Sequence, residues 1–466
     1  MNKHYHFIGI GGVGMGTIAS LLIAKGYRVS GSDLKESDFT AKLREQKAKI
    51  SIGHDAKNIE SPDFVVYSSA VSRDNPERVA AEQKKIPVLQ RAQLLAQLME
   101  SEKGITVAGA HGKTTTTSMI SYCLIRAGLN PTTAVGGMIN NDKTYNSNLG
   151  SGQYFVAEVD ESDGSFLYFS PFYSVITNID FEHVDYYHSW DNILSAYRTF
   201  IARTKADGCI FAYGQDMRLR SLLSESGRRF TTYGFSKEND VVASHEKLNG
   251  RSLGFDCAYK GRNIGRFDLS IPGKHNILNA LACICVSMQM GIDLEVIRES
   301  LREFKGVRRR FQLKTDVNDI MVIDDYGHHP TEIKATIETA KSLGRKRVVT
   351  VFQPHRYTRT KFLMEEFVKS LSASDCLVIT DIYAASEEVI PGVTSEKLCE
   401  LIRASGKPEV IYLKKERIID YLLDNVRKGD LVLTLGAGDI TRISDAFAQK
   451  LNDRNVEPIA MVKDGL

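Results

Sequence analysis

The chain has 466 residues, of which 42% are hydrophobic and 25% charged. At roughly 100–200 residues per domain it holds two to four domains, three being the central expectation, and its apolar content excludes a mainly disordered chain. Its 60 Lys and Arg stand against 57 Asp and Glu, a net charge of +3, too balanced for nucleic acid or an anionic membrane as the main partner.

No apolar run approaches the roughly 18 residues of a membrane span. The start, MNKHYHFIGIGG, is broken by glycines before a secretory core could form. The chain has seven cysteines and no C-x-x-C pair. Cys283 and Cys285 fall in an apolar, helix-like stretch and are expected as buried thiols in a reduced, cytoplasmic compartment.

The first predicted strand, His4–Ile10, runs through glycines into a helix over Met15–Lys25. Gly9-x-Gly11-x-x-Gly14 matches the dinucleotide fingerprint, with Asp33 about 20 residues on, where a ribose-binding acid belongs. Such a turn binds any diphosphate at a helix start. A nicotinamide or flavin dinucleotide and a nucleotide-sugar diphosphate therefore fit it equally.

A polar stretch at Glu100–Gly104 is a candidate boundary. Beyond it, strand Ile105–Ala108 leads through Gly109-Ala110-His111-Gly112-Lys113-Thr114-Thr115 into a helix, Thr114–Ala127. Unpaired backbone N–H groups at a helix start attract phosphate, and glycines let the chain wrap around it. Lys113 can reach β/γ-phosphates, and a Thr hydroxyl can ligate Mg²⁺. The eight-residue pattern needs glycine at position 107, where this chain has Val107, so the loop is a shortened variant. Downstream, strand Tyr154–Ala157 ends in Glu158-Val159-Asp160-Glu161-Ser162-Asp163. Strand Ser174–Asn178 is followed by Asp180, His183 and Asp185. Ligands gather at the carboxyl ends of parallel strands, so Glu158 can hold Mg²⁺ beside Thr114. Segment Arg251–Ile271 reads as an antiparallel patch.

A second boundary is expected around Gly306–Arg310. Strands at Ile320–Ile323, Val348–Phe352, Cys376–Thr380, Val410–Leu413 and Leu431–Leu435 then alternate with helices, which argues for a parallel sheet covered on both faces. Asp324-Asp325-Tyr326-Gly327-His328-His329-Pro330 and Gln353-Pro354-His355-Arg356-Tyr357-Thr358-Arg359 would lie on one rim, with Gly436-Ala437-Gly438-Asp439. Two arginines at i, i+3 suit an oxyanion and argue against His328 and His329 as metal ligands. If the first segment serves structure alone, Thr331 or Asp325 would simply cap the helix that follows.

These motifs together resemble the Mur ligase family. The resemblance rests on GIGGVGMG (9–16), GAHGKTTTT (109–117), EVDESD (158–163), PGKHNILNA (272–280), RRRF (308–311), DDYGHHPTE (324–332), FQPHRYTR (352–359) and LGAGDI (435–440), in order along essentially the whole chain. The Gly-Gly-x-Gly-Met start and the FQPHRYTR segment point to its alanine-adding branch. The resemblance implies an α/β fold in three domains. These are an N-terminal Rossmann-like domain for a UDP sugar (1–102), a central P-loop ATPase-like domain (103–312) and a C-terminal Rossmann-like domain for an amino acid (313–466). It implies ATP-dependent joining of L-alanine to UDP-N-acetylmuramate through an acyl phosphate in peptidoglycan precursor synthesis, and it leaves the oligomeric state open.

Roles follow from the matching positions. Gly11, Gly12 and Gly14 would meet the UDP diphosphate, with Asp33, Ser68 and Ser69 near the uridine. Gly109, Ala110, His111, Gly112, Lys113, Thr114 and Thr115 would bind ATP. Thr114 and Glu158 would hold one Mg²⁺ and His183 a second. His275, Asn276 and Asn279 would approach the adenine, and Arg308 and Arg309 would reach ATP. Tyr326, His328, Arg356 and Arg359 would line the amino-acid side. Lys113, His183, His328, Arg356 and Arg359 are the expected catalytic groups. Ala110 stands where the family usually has Thr. Arg198 stands where several related ligases carry a modified lysine, so no carbamylated lysine is expected. Three rivals remain: a related ligase adding a peptide or another amino acid to the same sugar acid, a nicotinamide-dependent oxidoreductase, and a non-enzymatic nucleotide switch.

Overall fold

The computed structural model describes residues 3–68, 70–140, 147–385, 387–406 and 409–456. Three sheets follow one another along the chain, in three α/β domains. The first contains β1 (His4–Ile8), β2 (Arg28–Asp33), β3 (Lys49–Ile52), β4 (Phe64–Tyr67) and β5 (Val88–Gln90), all parallel in the order β3-β2-β1-β4-β5.

The second sheet has ten strands. These are β6 (Lys103–Ala108), β7 (Thr132–Ala134), β8 (Ser147–Asn148), β9 (Tyr154–Glu158), β10 (Tyr173–Ile176), β11 (Cys209–Tyr213), β12 (Phe230–Gly234), β13 (Val241–Asn249), β14 (Ser252–Tyr259) and β15 (Arg262–Leu269). Their order is β15-β14-β13-β12-β11-β10-β6-β9-β7-β8. The stretch from β12 to β7 is parallel, while β13, β14 and β15 pair antiparallel. The expected antiparallel patch is thus β14 and β15.

The third sheet contains β16 (Gln312–Val317), β17 (Ile320–Asp325), β18 (Arg347–Phe352), β19 (Cys376–Ile379), β20 (Glu409–Tyr412) and β21 (Asp430–Leu435). Its order is β16-β17-β21-β18-β19-β20, parallel except for β16.

The central strands form because their apolar, β-branched runs are covered on both faces. β17 and β21 are buried at every residue, as strands in a doubly covered parallel sheet must be. Connectivity then opens a crevice in each sheet. β1 has β2 on one side and β4 on the other, β6 lies between β9 and β10, and β21 lies between β17 and β18. Ligands bind beyond the carboxyl ends of strands at such reversals.

The chain clusters into two compact units, residues 1–270 with 276–305, and 271–275 with 306–466. In the first unit one apolar core joins the first two sheets, from Phe7 and Leu22 to Phe155, Phe200 and Leu223. In the second, separate cores cover the two faces of the third sheet, around Ile337, Phe352 and Phe367 on one side and Val351, Ile418 and Phe447 on the other. Among the described residues no helix is long and apolar enough to cross a membrane. All seven cysteines are free and buried, Cys283 and Cys285 included.

Candidate active site

The first sheet places the N-terminal glycines beyond β1. Gly12 precedes the helix Val13–Ala24 with no side-chain cap, so that helix start is open to an anion. Gly11 N donates to Asp33 Oδ2 at 2.8 Å, and Ser37 Oγ donates to Gly11 O at 3.0 Å. Asp33 therefore shapes the turn. Ser68 lies beside Gly9, its Oγ 3.7 Å from where a Cβ would stand. Ser69 lies outside the described residues. A Cβ on Gly14 would collide with the Arg91 guanidinium. Arg91 is a cation at the expected diphosphate position that sequence reading passed over, because it lies far along the chain outside any motif.

The second sheet builds the phosphate loop between β6 and the helix Lys113–Arg126. Gly109 and Gly112 sit at φ 125 and 83, a region L side chains avoid. At Gly109 a Cβ would also stand 2.9 Å from Asn178 O. Asn178 fastens the loop, accepting from His111 N at 2.9 Å and donating to His111 O at 3.0 Å. His111 Nε2 meets Asp180 Oδ2 at 2.8 Å.

Lys113 Nζ donates to Gly109 O (2.7 Å), Ala110 O (3.3 Å) and Glu161 Oε1 (2.8 Å). Burial alone would lower its pKa, but the carboxylates of Glu161, Asp160 and Glu158 raise it well above the usual lysine range. The ammonium is thus held charged at the loop. Burial likewise opposes the charge on Asp160, which Lys113 and Ser162 nevertheless hold below the usual carboxylate range.

Thr114 Oγ1 donates to Glu158 Oε1 at 2.9 Å, and Glu158 Oε2 accepts from Gly136 N at 3.1 Å. Thr115 is buried in the first turn of the same helix. Beside this pair, Glu161, Glu182 and His183 bring ligand atoms within 4.8 Å of one another. Glu161 Oε2 is buried without a hydrogen-bond partner. Hard carboxylate oxygens around an unsatisfied buried atom fit a divalent cation. Burial would lower the His183 pKa, yet Glu161 and Glu182 raise it above the ordinary imidazole value. Neither Glu161 nor Glu182 was singled out as a ligand from the sequence, although EVDESD contains the first.

Asn279 reaches the same loop. Its Oδ1 accepts from Thr116 Oγ1 at 3.1 Å, and its Nδ2 donates to Asn276 Oδ1 at 3.0 Å. A Cβ on Gly112 would stand 2.6 Å from Asn279 Oδ1. His275 clusters with the second unit, and burial pushes its imidazole down to about 4. Arg198 is a surface residue paired with Glu225 at 3.4 Å.

In the third sheet the loops after β17, β18 and β21 share one rim. The helix Pro330–Ser342 starts at a capping box. His329 is its N-cap, and Glu332 Oε2 reaches back to His329 N (3.3 Å) and His328 N (3.1 Å). Asp325 instead accepts from Phe311 N and Gly327 N, each at 2.7 Å. Burial pushes its carboxyl up to about 6.

His328 Nδ1 lies 3.2 Å from Tyr326 O, which places a proton on Nδ1 and leaves Nε2 as the acceptor. Burial holds its pKa well below the usual value, so the ring is neutral. Its ring also packs edge-on to those of Tyr326 and His355. His355 Nδ1 lies 3.2 Å from Arg359 Nη1, and burial with Arg359 and Arg356 pushes it down to about 4. Arg356 Nε donates to Glu387 Oε1 at 2.6 Å.

Arg309 Nη2 donates to Gly436 O (2.7 Å) and Gly438 O (2.9 Å). Its guanidinium and that of Arg310 lie over the Tyr326 ring at 4.8 and 4.9 Å. Arg309 is thus committed within the rim, whereas Arg308 is exposed. Three expected residues, Tyr326, His328 and Arg359, are therefore gathered here, with Arg356 on the same loop.

A parallel α/β chain with a phosphate loop, a half-buried ammonium and a facing carboxylate cluster is a nucleotide-binding protein built for phosphoryl chemistry. The chain belongs to the Mur ligase family. Residues 4–103 match the Mur ligase family catalytic domain, 107–287 the Mur ligase middle domain, and 309–438 the Mur ligase glutamate ligase domain. The chain is 46% identical over 449 residues to a UDP-N-acetylmuramate--L-alanine ligase of Trichlorobacter lovleyi, covering 96% of this chain and 98% of that one. It is 47% identical over 451 residues to the enzyme of that name from Geobacter sulfurreducens, covering 96% and 97%. Among solved structures, the UDP-N-acetylmuramate-alanine ligase of Thermotoga maritima superposes with a TM-score of 0.83 at 31% identity, covering 97% of this chain and all of that one.

Proposed function

We infer that this chain is an ATP-dependent carboxylate–amine ligase that joins L-alanine to the lactyl carboxylate of UDP-N-acetylmuramate, releasing ADP and phosphate, in peptidoglycan precursor synthesis. The observation that carries this reading is the phosphate loop, with Lys113 and the Thr114–Glu158 pair, in a chain 46% identical along almost its whole length to ligases of that name. Its free, buried thiols suit a reducing cytoplasm. In this reading the functional domains are 1–102, 103–312 and 313–466.

A carboxylate is a poor electrophile, and hydroxide leaves badly. Transfer of the ATP γ-phosphoryl to the lactyl carboxylate gives an acyl phosphate, from which phosphate leaves readily when the amine attacks. Negative charge collects on phosphoryl oxygens, where a fixed ammonium acts most strongly. Lys113 is that ammonium. The backbone N–H groups of Gly109–Thr115 would cradle the phosphates, with Asn279 packed against the last glycine. Thr114 and Glu158 would hold one Mg²⁺, and His183 with Glu161 and Glu182 would hold a second. The metal would supply neutralising charge to the nucleotide oxygens.

On the N-terminal domain, the glycine turn and Arg91 would take the UDP diphosphate. On the C-terminal domain, Arg356 and Arg359 would receive the alanine carboxylate, since guanidinium binds oxyanions in paired hydrogen bonds. His328 Nε2 would accept a hydrogen bond from the amine. A ring held so far below the usual imidazole value captures protons weakly, so its role is chiefly to orient the amine.

ADP release is measured with Mg²⁺-ATP, UDP-N-acetylmuramate and L-alanine, omitting each in turn. Release needing all three, with a product heavier by one alanine residue, is expected. Release that needs the sugar acid but ignores alanine would assign another amine, which competition among amino acids and peptides identifies. No release in any combination from folded protein would remove the ligase reading.

Replacing Arg356 with Ala should raise the alanine KM by at least roughly ten-fold, the scale of losing one charge-assisted contact. An unchanged alanine dependence would place the amino acid elsewhere.

A further inference from the structure

Arg356 has an unusual backbone. It lies at φ 69 and ψ 135, a region a non-glycine residue occupies only when its surroundings hold it there. It is also the N-cap of a helix only six residues long, Tyr357–Phe362, and supplies no side-chain cap of its own.

The holding comes from the loop after β19. Arg356 N donates to Tyr383 O at 2.8 Å, and Tyr383 N donates to Pro354 O at 2.8 Å. The Tyr383 ring stacks on His355, centroids 5.6 Å apart and planes 8° from parallel. Glu387 then closes the arrangement. Its Oε1 accepts from Arg356 Nε and from Thr358 Oγ1, each at 2.6 Å, and its Oε2 accepts from Thr358 N at 3.0 Å. A side chain from another loop thus does the capping that Arg356 does not. Burial would raise the Glu387 pKa, but the bonds from Thr358 and Arg356 hold it below the ordinary carboxylate value.

We propose that Glu387 is a positioning residue for amine recognition: by gripping Arg356 Nε and capping Thr358, it fixes the strained turn that presents Arg356 to the amino acid. The proposal rests on the reading that Arg356 meets the alanine carboxylate.

Charge and geometry predict opposite signs here. Removing an acid beside Arg356 makes the rim more cationic, which by Coulomb attraction alone would tighten a carboxylate ligand. Releasing the turn lets Arg356 leave its productive place, which weakens the ligand. The direction of the change therefore tells the two apart.

The test compares wild type, Glu387→Ala and Glu387→Gln by steady-state kinetics with each of L-alanine, ATP and UDP-N-acetylmuramate varied. Glu387→Ala is expected to raise the alanine KM at least ~10-fold, with the other two KM values within about two-fold, on the scale expected of a displaced positioning group. Glu387→Gln keeps an acceptor oxygen for Thr358 and should recover part of the loss. Thermal melting reports folding separately, and Glu387→Gln carries the comparison should Glu387→Ala not fold. An alanine KM that is unchanged or lowered overturns the proposal. So does an equal rise in all three KM values, which marks a merely structural role. Wild-type protein with no alanine-dependent ADP release would overturn the functional reading itself, and the proposal with it.

Discussion

Lys113→Ala should lose at least ~100-fold in turnover, the scale of removing one charge partner from a developing transition state. The ammonium touches Gly109 O, Ala110 O and Glu161 Oε1, so ATP bound as proposed would draw it from Glu161 toward phosphate. Without it, Glu161 would leave an anionic carboxylate facing the incoming phosphates, which adds repulsion to the lost attraction. The check is ADP release at saturating substrates, with circular dichroism to show an intact fold. A turnover within about ten-fold of wild type would remove Lys113 from the phosphoryl step.

The largest stability effect is expected at Glu77, which is fully buried. Its carboxylate accepts from Ser32 Oγ (2.7 Å), Asn58 Nδ2 (2.6 Å) and Asp55 N (3.2 Å), and lies 3.0 Å from His6 Nε2. Those partners sit on β1, β2 and the segment after β3, so one side chain ties the first sheet to the helix Pro76–Gln83. Glu77→Ala leaves buried donors without an acceptor and should cost ~3–5 kcal/mol.

The effect should depend on pH. Burial would raise the Glu77 pKa, yet His6, Ser32 and Asn58 hold it below the ordinary value of 4.5. A depressed carboxyl stabilises the fold fully above the unfolded pKa and loses that stabilisation as pH falls through the folded one. Urea unfolding of wild type and Glu77→Ala at neutral pH and at falling pH would show the gap narrowing only below the ordinary glutamate range. A gap independent of pH would mean that packing, and not the carboxylate charge, holds this region.

Glu77 and Glu387 also show where sequence reading stops. Each is an ordinary glutamate in an unremarkable stretch, and its partners lie tens of residues away. Arg91 is the same case beside Gly14. The strands, by contrast, announced themselves as apolar runs, because doubly covered parallel strands need apolar side chains on both faces. The phosphate loop was equally legible, since strand, glycines, lysine and threonine act within a few consecutive residues. The His329–Glu332 cap of the helix Pro330–Ser342 was not legible, because several polar residues compete near a helix start and only backbone direction selects among them.

Local chemistry written in consecutive residues was therefore readable from the chain alone: the three glycine turns, the Gly109–Thr115 loop between strand and helix, the acidic ends of β9 and β17, and the motif order that marks the family. The folded molecule alone decided which distant groups share an environment. It set Glu161 against Lys113, Asn279 against Gly112 and Glu387 against Arg356. It also held His328 neutral by burial. The reason is physical: burial and charge pairing depend on through-space distance, which the order of residues along a chain does not specify.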